Sequence, residues 1–563
     1  MFAQSFVTTF PALVNNIPPW HYSLPIILFV VVPLLVLIHD YTLYFLMPRG
    51  PFPLPFIGNK HLIPTSAPWL QFEEWSRTYG PIFTLWIGRR PTIVLSDPQI
   101  AVDLLEKRST KFSSRPRFVV MGELYWDNAG ILVQPYGKEW QVRRRLLHQA
   151  LNPSALRLYK PVQEAEATRL CWSLLQSPER YEKLIDRFTA SVVFSIAYGH
   201  RIDSMDSAII RQRLEFMQYS ASLNVPGRYL AETFPVLKYV PNVVAQWKAE
   251  IQRRGRVETA VNMSLVRQVQ EKLRNAKDAS SVPDSLTKML LEARHSDPDA
   301  FAALNERDFS FVPASLFGAG SDTTASTLCS GILMLITNPH VLAAAHAELD
   351  SVVGPDRSPK FSDESQLPYI RALCAEILRI RPVAVLGGTP HANSVADTYE
   401  GYYIPQGTNI LSNSWAINLN PEYYPDPHTF DPLRFISQYT SESLLYLPES
   451  PQQVRKGSKK HPSKDGHSSF GWGRRICPGA GLAQNSLFIA VAKLLWAYDI
   501  LPVTEEDGST RKYDTFAYTQ GFNIRPLAFE CVIRIRSERH RAVLEKERME
   551  AEKVMAKFEP FSE

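Results

Sequence analysis

The sequence predicts a mainly α-helical protein with small β-sheets, built as a single large domain that follows an apolar N-terminal segment. Helical periodicity recurs through the middle of the chain, whereas runs typical of β-strands are short and few. No repeat of fixed period and no mid-chain linker divides the 563 residues. Hydrophobic residues make up 45% of them, which is enough for one large core and excludes wholesale disorder.

Charge and cysteine content exclude several classes of protein. The 61 Lys and Arg and 56 Asp and Glu residues leave a net charge of +5, too weak in a chain of this length to indicate nucleic-acid binding. The cysteines are odd in number and widely spaced, and no Cys-x-x-Cys occurs, so neither a disulfide framework nor a zinc finger is expected. Reduced thiols in a reducing compartment fit better. The five cysteines are Cys171, Cys329, Cys374, Cys477 and Cys531.

The apolar run at residues 24–47 predicts a transmembrane anchor. As a helix it would extend about 36 Å, enough for a hydrocarbon core of about 30 Å. A cleaved signal peptide would begin with a basic segment, but residues 1–22 contain no Lys or Arg. The first basic residues follow the run, so residues 1–23 are expected in the lumen of the endoplasmic reticulum and the rest of the chain in the cytosol. A buried core helix is the alternative, and Asp40 is expected near the membrane interface.

Residues 48–58 form a proline-rich segment directly after the apolar run. Four prolines fall within eight residues of this segment. Such a backbone cannot form a helix and favours a stiff, extended conformation. We therefore expect a rigid hinge that holds the globular domain at the membrane surface.

The remaining elements can be assigned in order along the chain. Residues 81–88 and 91–96 are short β-type runs, and the Gly-Arg-Arg between them predicts a hairpin. Ser96-Asp97-Pro98 then starts a helix that runs to Arg108. A turn with two short strands is expected at residues 401–413. Further helices are predicted at residues 138–150, 154–176, 181–198, 242–275, 305–337 and 338–351.

The cysteine at position 477 lies in a segment with the chemistry of a metal-ligand loop. Pro478 follows it, which suits the first turn of a helix that continues to about Ala497. Free backbone N–H groups and the positive end of the helix dipole at such a point lower the pKa of a thiol and stabilise thiolate. An inert buried cysteine is the alternative.

The residues in front of Cys477 suit a flat, acidic ligand. Gly471 and Gly473 permit a tight turn whose backbone can approach such a ligand closely. Arg475 is placed to pair with one of its carboxylates. One thiolate ligand on a flat acidic cofactor indicates haem held by cysteine.

The segment FGWGRRICPG resembles the haem-binding signature of the cytochrome P-450 superfamily, Phe-x-x-Gly-x-Arg-x-Cys-x-Gly. Its fixed positions are met by Phe470, Gly473, Arg475, Cys477 and Gly479. The pattern is highly specific, and the resemblance extends from the anchor to about Ser537. It implies the cytochrome P-450 fold, with a haem domain at residues 59–536, haem as the cofactor and Cys477 as the axial ligand of the iron.

A charged triad gives a second match to the family. Glu376 and Arg379 fit its Glu-x-x-Arg pattern, although such a pair alone is usually a helix salt bridge. The segment FDPLRF at residues 430–435 supplies Arg434 as the third member, with Leu433 where the family usually has Glu. The resemblance implies a structural network that fixes the fold around the haem-ligand loop.

Trp140 and Arg144 match the family's Trp-x-x-x-Arg pattern. A spacing of four places both side chains on one helix face. The resemblance implies that they reach a haem propionate. A generic basic helix is the alternative, because the residues on both sides of Arg144 are also arginines.

The segment AGSDTT at residues 319–324 lies inside a long predicted helix and resembles the family's oxygen-binding groove. Glycine in a helix interior costs about 1 kcal/mol relative to alanine, so Gly320 needs a reason. The resemblance implies that Gly320 makes room over the haem. It also implies that Asp322 and Thr323 are the acid–alcohol pair that delivers protons from a helix bulge. Ordinary helix with a threonine that bonds back to the preceding turn is the alternative.

The activity that the resemblance implies is that of a monooxygenase. A thiolate ligand favours O–O cleavage, so one atom of O2 enters a hydrophobic small molecule and the other becomes water. The two electrons must come from outside, because the chain has no convincing flavin or nicotinamide fingerprint. An NADPH-dependent flavoprotein reductase is therefore implied. A haem-thiolate isomerase or dehydratase that does not use O2 and a membrane-tethered haem sensor or carrier are the alternatives, which the Asp322–Thr323 pair disfavours.

The substrate can be predicted only as a class. By family analogy the pocket draws on mostly apolar segments, so a hydrophobic small molecule is expected. Residues 135–148 and 232–241 resemble enzymes of filamentous-fungal secondary metabolism, which implies a terpenoid, polyketide or alkaloid intermediate. The pocket segments are Phe118 to Leu132, Leu316 to Ala319, Val383 to Thr389 and Thr515 to Phe522.

Two segments are densely charged. Residues 537–563 predict a solvated terminal helix, and a membrane or partner contact is the alternative. The polar insert between Phe435 and Phe470 is either a solvated surface loop or a basic docking surface for an acidic reductase domain. Its cations are Arg455, Lys456, Lys459, Lys460 and Lys464.

Overall fold

The structure is a computed structural model that describes residues 30–224, 228–439 and 459–561. Helices dominate this part of the chain and the strands are short, as the sequence predicts. The α-helices are α1 (Val32–Leu46), α2 (Pro68–Tyr79), α3 (Pro98–Ala101), α4 (Ser109–Phe112), α5 (Lys138–Leu151), α6 (Pro153–Gln176), α7 (Tyr181–Tyr198), α8 (Ala208–Leu223), α9 (Leu230–Thr233), α10 (Gln246–Asn275), α11 (Leu286–Ser296), α12 (Glu306–Thr337), α13 (Pro339–Val352), α14 (Pro368–Ile380), α15 (Ser414–Asn418), α16 (Leu433–Ile436), α17 (Ala480–Ala497) and α18 (Glu538–Met555). Two further segments, Val102–Lys107 and Val119–Tyr125, are π-helical.

The strands of the described residues form one four-stranded sheet and three two-stranded sheets. They are β1 (Ile82–Ile87), β2 (Arg90–Leu95), β3 (His200–Arg201), β4 (His391–Ala392), β5 (Asp397–Tyr399), β6 (Tyr402–Ile404), β7 (Asn409–Ser412), β8 (Tyr498–Leu501), β9 (Val532–Ile535) and β10 (Glu559–Pro560). The larger sheet has the order β1-β2-β7-β4, with β1 and β2 as the predicted hairpin and β2 parallel to β7. The other pairs are β3 with β10, β5 with β6, and β8 with β9.

Helices α12 and α17 form the centre of the core. Helix α12 packs against α7 and α10, and α17 packs against α6, α13 and α14. By length and composition α17 could cross a membrane, but 72% of it is buried inside the domain. It is therefore a core helix, and it begins just after Cys477.

The predicted helices in the middle of the chain are confirmed to within a few residues, as α5, α6, α7, α10, α12 and α13. The helix predicted from Pro98 to Arg108 is different, because its second half is the π-helical segment Val102–Lys107. The sequence does not predict α2, α8 and α11. These helices have 11 to 16 residues, a length at which a helix depends on tertiary packing more than on its own periodicity.

The N-terminal apolar run is described only in part, because residues 24–29 lie outside the described residues. The 15 residues of α1 extend about 22 Å, short of a hydrocarbon core of about 30 Å. Asp40, in the middle of α1, accepts from the Arg89 guanidinium at 2.7 and 2.9 Å. Tyr44 and Met47 are buried against the domain. This end of the predicted anchor therefore packs on protein through Asp40, Tyr44 and Met47.

The proline-rich segment at residues 48–58 is fixed on the domain and is not a free hinge. Gly50 passes so close to β1 that a Cβ would lie 2.1 Å from Thr84 O. The buried Asn59 side-chain amide donates to two backbone carbonyls of the segment at 2.9 and 3.2 Å. The position of the segment is set by these contacts with the sheet.

The charged C-terminal tail is helical but only partly solvated. Helix α18 packs along α6 and buries Leu544 and Met555. Glu547 of α18 lies 3.7 Å from the ammonium of the buried Lys493 in α17. Strand β10 then pairs in parallel with β3. The expectation of a solvated helix therefore holds for its outer face alone, and the tail closes one side of the core.

Candidate active site

The loop that precedes α17 is a tight turn closed by its own backbone. The Cys477 N–H donates to Phe470 O at 2.8 Å. Gly471 and Gly473 have φ angles of +76° and +56°, in the left-handed region that favours glycine. A Cβ on Gly473 would lie 2.0 Å from Leu105 O, so glycine also lets the loop touch the π-helical segment. The tight turn predicted from the two glycines is therefore present.

Cys477 lies in front of α17, as the sequence predicts, but the helix begins two residues later than expected, so Pro478 is not in its first turn. The helix begins at Ala480 with Gly479 as its N-cap. Burial raises the pKa of the Cys477 thiol, and the Gly479 N–H and the Arg144 guanidinium oppose the rise without overcoming it. The expectation that the helix end alone lowers this pKa is therefore wrong. A thiolate here requires a bound metal cation, which deprotonates a coordinating thiol.

Three guanidinium groups surround this loop, and none forms an ion pair with a carboxylate of the described residues. Arg475 donates to two backbone carbonyls at 2.8 Å, Arg144 to Ile476 O at 2.6 Å, and Arg115 to a backbone carbonyl at 2.5 Å. Burial lowers the pKa of Arg475 to about 8, and the cations of Arg115 and Arg144 add to this effect. Burial alone lowers the pKa of Arg115 to about 9. The site thus has an unbalanced positive charge.

The residues around Cys477 fit haem. Buried guanidinium groups are rarely found without acidic partners, so their convergence favours a ligand that brings its own carboxylates. Among the described residues, no group of three or more His, Cys, Asp or Glu side chains is placed to hold a metal ion. A metal at Cys477 must therefore arrive with most of its ligands already bound, as iron does in haem.

Trp140 and Arg144 project from one face of α5, as their spacing predicts. The Arg475 guanidinium lies over the Trp140 ring, 4.2 Å from its centroid. Trp140 is buried, and the face of its ring packs against the Arg475 guanidinium. Arg144 reaches the backbone of Ile476, next to Cys477. The two motifs recognised separately in the sequence thus meet at the same loop.

The predicted charged triad is assembled and fully buried. The Glu376 carboxylate accepts from Arg379 Nε and Nη2 at 2.6 and 2.7 Å, and Arg434 Nε lies 3.5 Å from Glu376 Oε1. Arg379 Nη1 donates to Asn418 O at 2.9 Å, and Asn418 Oδ1 accepts from the Ser468 N–H at 2.8 Å. The triad is therefore linked through Asn418 to the residues that precede the Cys477 loop.

Helix α12 has an accessible face although it runs through the centre of the core. Most of its other residues are buried, and an accessible stripe on a central helix indicates a groove along it. Residues three and four positions apart form this face. They are Ser315, Gly318, Ala319, Asp322 and Thr323.

Gly320, which is also partly accessible, lies between this face and α7. A Cβ at Gly320 would lie 2.6 Å from Val193 Cγ1 of α7. The glycine therefore lets α12 and α7 approach each other. That it also makes room over the haem stays a prediction.

Asp322 and Thr323 both lie on the accessible face but are not hydrogen-bonded to each other. Thr323 Oγ1 donates to Ala319 O at 2.8 Å, the back-bond that a threonine makes in ordinary helix. Asp322 Oδ2 accepts from Asn523 Nδ2 at 3.1 Å, whereas its Oδ1 has no hydrogen-bond partner within the described ranges. The expected helix bulge is absent, because α12 is continuous α-helix from Glu306 to Thr337.

A family model described as Cytochrome P450 matches residues 48–521. The chain belongs to the cytochrome P450 family. It is 35% identical over 489 residues to cytochrome P450 monooxygenase 58 of Postia placenta, with 86% of this chain and 88% of the relative covered. It is 32% identical over 504 residues to a cytochrome P450 monooxygenase of Armillaria gallica, with 89% and 92% covered. It is 31% identical over 512 residues to cytochrome P450 monooxygenase verL of Clonostachys rogersoniana, with 90% of each covered.

Membership of the family confirms the predicted enzyme class, a cytochrome P450 monooxygenase, and the cofactor, haem with a cysteine axial ligand. The mainly helical fold with small sheets is confirmed as well. The family match begins at residue 48. The proline-rich segment that packs on β1 is therefore included in the part of the chain that this cytochrome P450 shares with its family.

Two further residues of this cytochrome P450 lie at the site without being predicted: Arg115 and His391. The His391 ring lies at the edge of the four-stranded sheet, with Nδ1 2.8 Å from Phe112 O. Burial, together with the cations of Arg115 and Arg475, lowers the pKa of His391 to about 3. Neither residue belongs to a periodic pattern, so no local signal marks it in the sequence.

The pocket segment predicted at Thr515 to Phe522 is divided by the structure. Phe516 lies against the Arg381 guanidinium, 4.7 Å from the ring centroid, and is half exposed. Phe522, near the tip of the same loop, lies 3.5 Å from where a Cβ on Gly388 would be. Phe522 therefore faces the predicted segment at Val383 to Thr389.

The basic insert of this cytochrome P450 is described only from residue 459 onward, and Arg455 and Lys456 lie outside the described residues. Lys459, Lys460 and Lys464 are exposed. Lys459 pairs with Glu422 at 2.7 Å.

Proposed function

We propose that this cytochrome P450 is a membrane-anchored monooxygenase of the endoplasmic reticulum that hydroxylates, or oxidises in a related way, a hydrophobic small molecule in fungal secondary metabolism. It uses O2 and electrons from an NADPH-dependent flavoprotein reductase. The observation that carries the proposal is the unbalanced cluster of Arg115, Arg144 and Arg475 at the Cys477 loop. Haem bound there supplies O2 activation and oxygen-atom transfer.

Product analysis tests this function. The full-length protein is expressed with a reductase and supplied with candidate terpenoid, polyketide or alkaloid intermediates, and products are identified by mass spectrometry. We expect a product heavier by one oxygen atom, or a related oxidation product, that forms only with O2 and NADPH. A rearranged or dehydrated product that forms without consuming NADPH would favour the isomerase or dehydratase alternative.

Residues of the loop and of α5 would hold different parts of the cofactor. Cys477 would be the axial ligand, and its sulfur would be fixed by the Gly479 N–H and by the backbone bond to Phe470. Arg144 and Arg475 would hold the cofactor's carboxylates, with Trp140 under Arg475. Once these carboxylates balance the guanidinium charges, the site no longer contains unpaired buried cations.

Asp322 and Thr323 would supply protons on the other side of the cofactor. Both side chains lie on the accessible face of α12, and Asp322 Oδ1 is available for proton exchange. The Thr323 hydroxyl donates its one hydrogen to Ala319 O, and its oxygen lone pairs can accept a proton from a neighbour. To act in a relay, the hydroxyl would turn away from Ala319 O and donate its own hydrogen into the groove while its oxygen accepts a proton that Asp322 has collected.

Replacing Thr323 by alanine is expected to divert electrons to hydrogen peroxide. Proton-transfer groups contribute about 10²–10⁴-fold, and we expect the lower end or less because water replaces part of the lost hydroxyl. Asp322→Asn is expected to slow turnover more, because it removes the ionisable group. The measurement is the fraction of NADPH electrons recovered as peroxide. Thr327→Ala is the matched control, since Thr327 makes the same back-bond one turn later at 2.9 Å; equal peroxide fractions in the two variants would contradict the role of Thr323.

Two observations support a membrane location on the side of α1. Arg89 pairs with Asp40 of α1, and the adjacent Arg90 donates to Glu232 O at 3.0 Å, so residues near 232 lie beside the N-terminal helix. That neighbourhood has an unusual number of exposed apolar side chains, which mark an interaction surface. They are Leu230, Phe234, Val236, Tyr239, Val243 and Val244.

Two truncations are expected to separate anchoring from folding. Deleting residues 1–38 removes most of the predicted anchor but keeps the Asp40–Arg89 pair and the buried Tyr44 and Met47. This protein should be extracted from membranes by alkaline carbonate and should keep the melting temperature of the full chain. Deleting residues 1–47 should also release the protein but lower its melting temperature, because buried side chains are lost. Carbonate-resistant membrane binding of both truncations would contradict the anchor, and protection of the domain from protease in sealed microsomes would reverse its orientation.

The basic insert is the proposed docking surface for the reductase. Neutralising Arg455, Lys456, Lys459, Lys460 and Lys464 together is expected to slow reductase-supported turnover at low salt. The difference should shrink as salt rises, because screening limits such steering to about 8–10 Å near physiological ionic strength. Neutralising an equal number of exposed cations on the C-terminal segment is the control. These are Arg539, Arg541, Lys546, Lys553 and Lys557. Equal rates for both variants at low salt would leave the insert without a docking role.

A further inference from the structure

The guanidinium of Arg213, on α8, is buried and reaches across to α12. It lies against the rings of Phe216 and Phe317, 5.9 and 5.4 Å from their centroids. Its Nη2 donates to Ala314 O of α12 at 3.5 Å, which is long for a hydrogen bond. Nη2 therefore touches α12 without being committed to a strong bond there.

Gly318 leaves open space beside this nitrogen. Outside its own helix backbone and its two chain neighbours, a Cβ on Gly318 would have one atom of the described residues within 4 Å, which is Arg213 Nη2 at 3.9 Å. Gly318 belongs to the accessible face of α12, four residues after Ala314 and four before Asp322. Nη2 thus borders the groove at a point where the missing side chain leaves room for an atom of a ligand.

Helix α10 holds the other side of the guanidinium. Arg213 Nη1 donates to Asn262 Oδ1 at 2.5 Å, and Glu258 Oε1 lies 3.8 Å from the same nitrogen. Glu258 Oε2 in turn accepts from Trp126 Nε1 at 3.1 Å. The guanidinium is therefore fixed in position, and its charge is already balanced by one carboxylate.

This buried cluster has more hydrogen-bond donors than acceptors. An arginine carries five N–H donors, and Arg213 uses one on Asn262 and one, at long range, on Ala314. Arg213 Nε and Asn262 Nδ2 have no hydrogen-bond partner among the described residues, although both atoms are buried. Buried donors are nearly always hydrogen-bonded in native proteins, so the cluster suits a ligand that brings an acceptor.

We infer that Arg213 determines specificity by donating from Nη2 to an acceptor oxygen of the substrate. The inference deepens the proposed monooxygenase function and rests on it. Because Glu258 already balances the cation and would repel a second carboxylate, the oxygen is an uncharged one such as a ketone carbonyl. Gly318 precedes Asp322 by four residues, so the carbonyl would lie about 6 Å along the axis of α12 from the acid–alcohol pair. The substrate class is thus a hydrophobic molecule with a carbonyl group a few bonds from the oxidised carbon.

The acceptor site can be tested by ligand binding, without turnover. The ferric holoenzyme is titrated with imidazoles, whose ring nitrogen ligates haem iron and shifts its absorption. Imidazole itself reports on the iron, 1-decylimidazole reports on the groove, and decyl tails with a ketone at successive positions report on the acceptor site. We expect the wild-type protein to bind one ketone isomer about 10-fold more tightly than the hydrocarbon tail, as is typical of a hydrogen bond to a charged group.

Two variants approach the site from opposite sides. Arg213→Lys keeps a cation beside Glu258 but lacks the second nitrogen, so the preference for the ketone should disappear. Gly318→Ala leaves Arg213 intact but places a methyl group 3.9 Å from Nη2, where the oxygen would lie. It should also remove the preference, while the melting temperature stays the same or rises, because alanine favours helix over glycine. Arg254→Lys is the matched control: Arg254 also joins α10 to α8, through Glu215 at 3.0 Å, but is one-third exposed. It should keep the preference.

Several outcomes would overturn the role of Arg213. They are equal affinity of the wild type for ketone and hydrocarbon tails, failure to bind any tailed imidazole, and a preference that survives in both Arg213→Lys and Gly318→Ala. Loss of the preference in Arg254→Lys as well would assign it to the packing of α8 on α10 and would also overturn the inference. The proposed function is checked separately, because the absence of the thiolate-type band from the reduced, carbon monoxide-bound wild type would overturn that function itself.

Discussion

Replacing Cys477 by alanine is expected to abolish the absorption band that marks thiolate ligation in the reduced, carbon monoxide-bound protein, and to reduce monooxygenase activity to background. The expectation follows from the isolation of this thiol. Cys171, Cys329 and Cys374 are buried on α6, α12 and α14, and Cys531 lies next to β9, so the loop offers no second thiol. The three guanidinium groups would still attract the carboxylates of haem, so we expect weakened binding of the cofactor and complete loss of thiolate character.

Cys531→Ala is the matched control for this change. Cys531 is also a free, half-buried cysteine, but it lies on the approach to β9 and not at the haem loop. Its replacement should leave the band and the activity as they are in the wild type. A Cys477→Ala protein that keeps the band would show that a different cysteine is the ligand, and the assignment of the whole loop would then be wrong.

The ligand loop could be predicted because its information is local. Phe470, Gly473, Arg475, Cys477 and Gly479 lie within ten residues, and the backbone bond from Cys477 to Phe470 closes them into one turn. The alternation of apolar and polar positions likewise defines long helices such as α7 and α12. In both cases the residues that determine the structure are neighbours in the chain.

Contacts between segments that lie far apart in the chain could not be predicted from the sequence. Arg115 and His391 join the haem site from a loop and a sheet edge, and neither position belongs to a pattern. Asp40 interrupts an apolar run, so the sequence indicates a position at the membrane interface. In the structure its carboxylate pairs with Arg89. Gly320 matches a family motif, but its close contact with Val193 on another helix is visible only in the structure.

The same limit applies to electrostatics. The position of Cys477 before a helix predicts a lowered thiol pKa, because a helix end is the one feature that the sequence makes visible. The structure adds burial, which outweighs the Gly479 N–H and Arg144 and raises this pKa. Burial is a property of the folded domain, so the sign of the shift could not be obtained from the motif alone.

Removing Glu376 is expected to have the second largest effect, on folding and not on chemistry. Glu376 and Arg379 are both inaccessible to solvent, and Arg434 is almost so. Glu376→Ala removes the carboxylate that the buried Arg379 guanidinium pairs with, and removing one member of a buried ion pair typically costs about 3–5 kcal/mol. The loss should be visible as a lower melting temperature of the holoenzyme.

The same change should also loosen the haem loop, because the triad holds it through a defined chain of contacts. Arg379 Nη1 donates to Asn418 O at 2.9 Å, and Asn418 Nδ2 donates to Arg379 O at 3.1 Å. Asn418 Oδ1 accepts from the N–H of Ser468, two residues before the loop. We therefore expect Glu376→Ala to retain less haem per protein and to convert the thiolate-type band partly to an inactive form. Glu250→Ala is the control: it breaks an ion pair with Arg253 and Arg254 on the surface of α10, where such pairs often contribute nothing measurable. If Glu376→Ala and Glu250→Ala retain haem and melt alike, the triad does not support the loop, and the contact through Asn418 has no structural consequence.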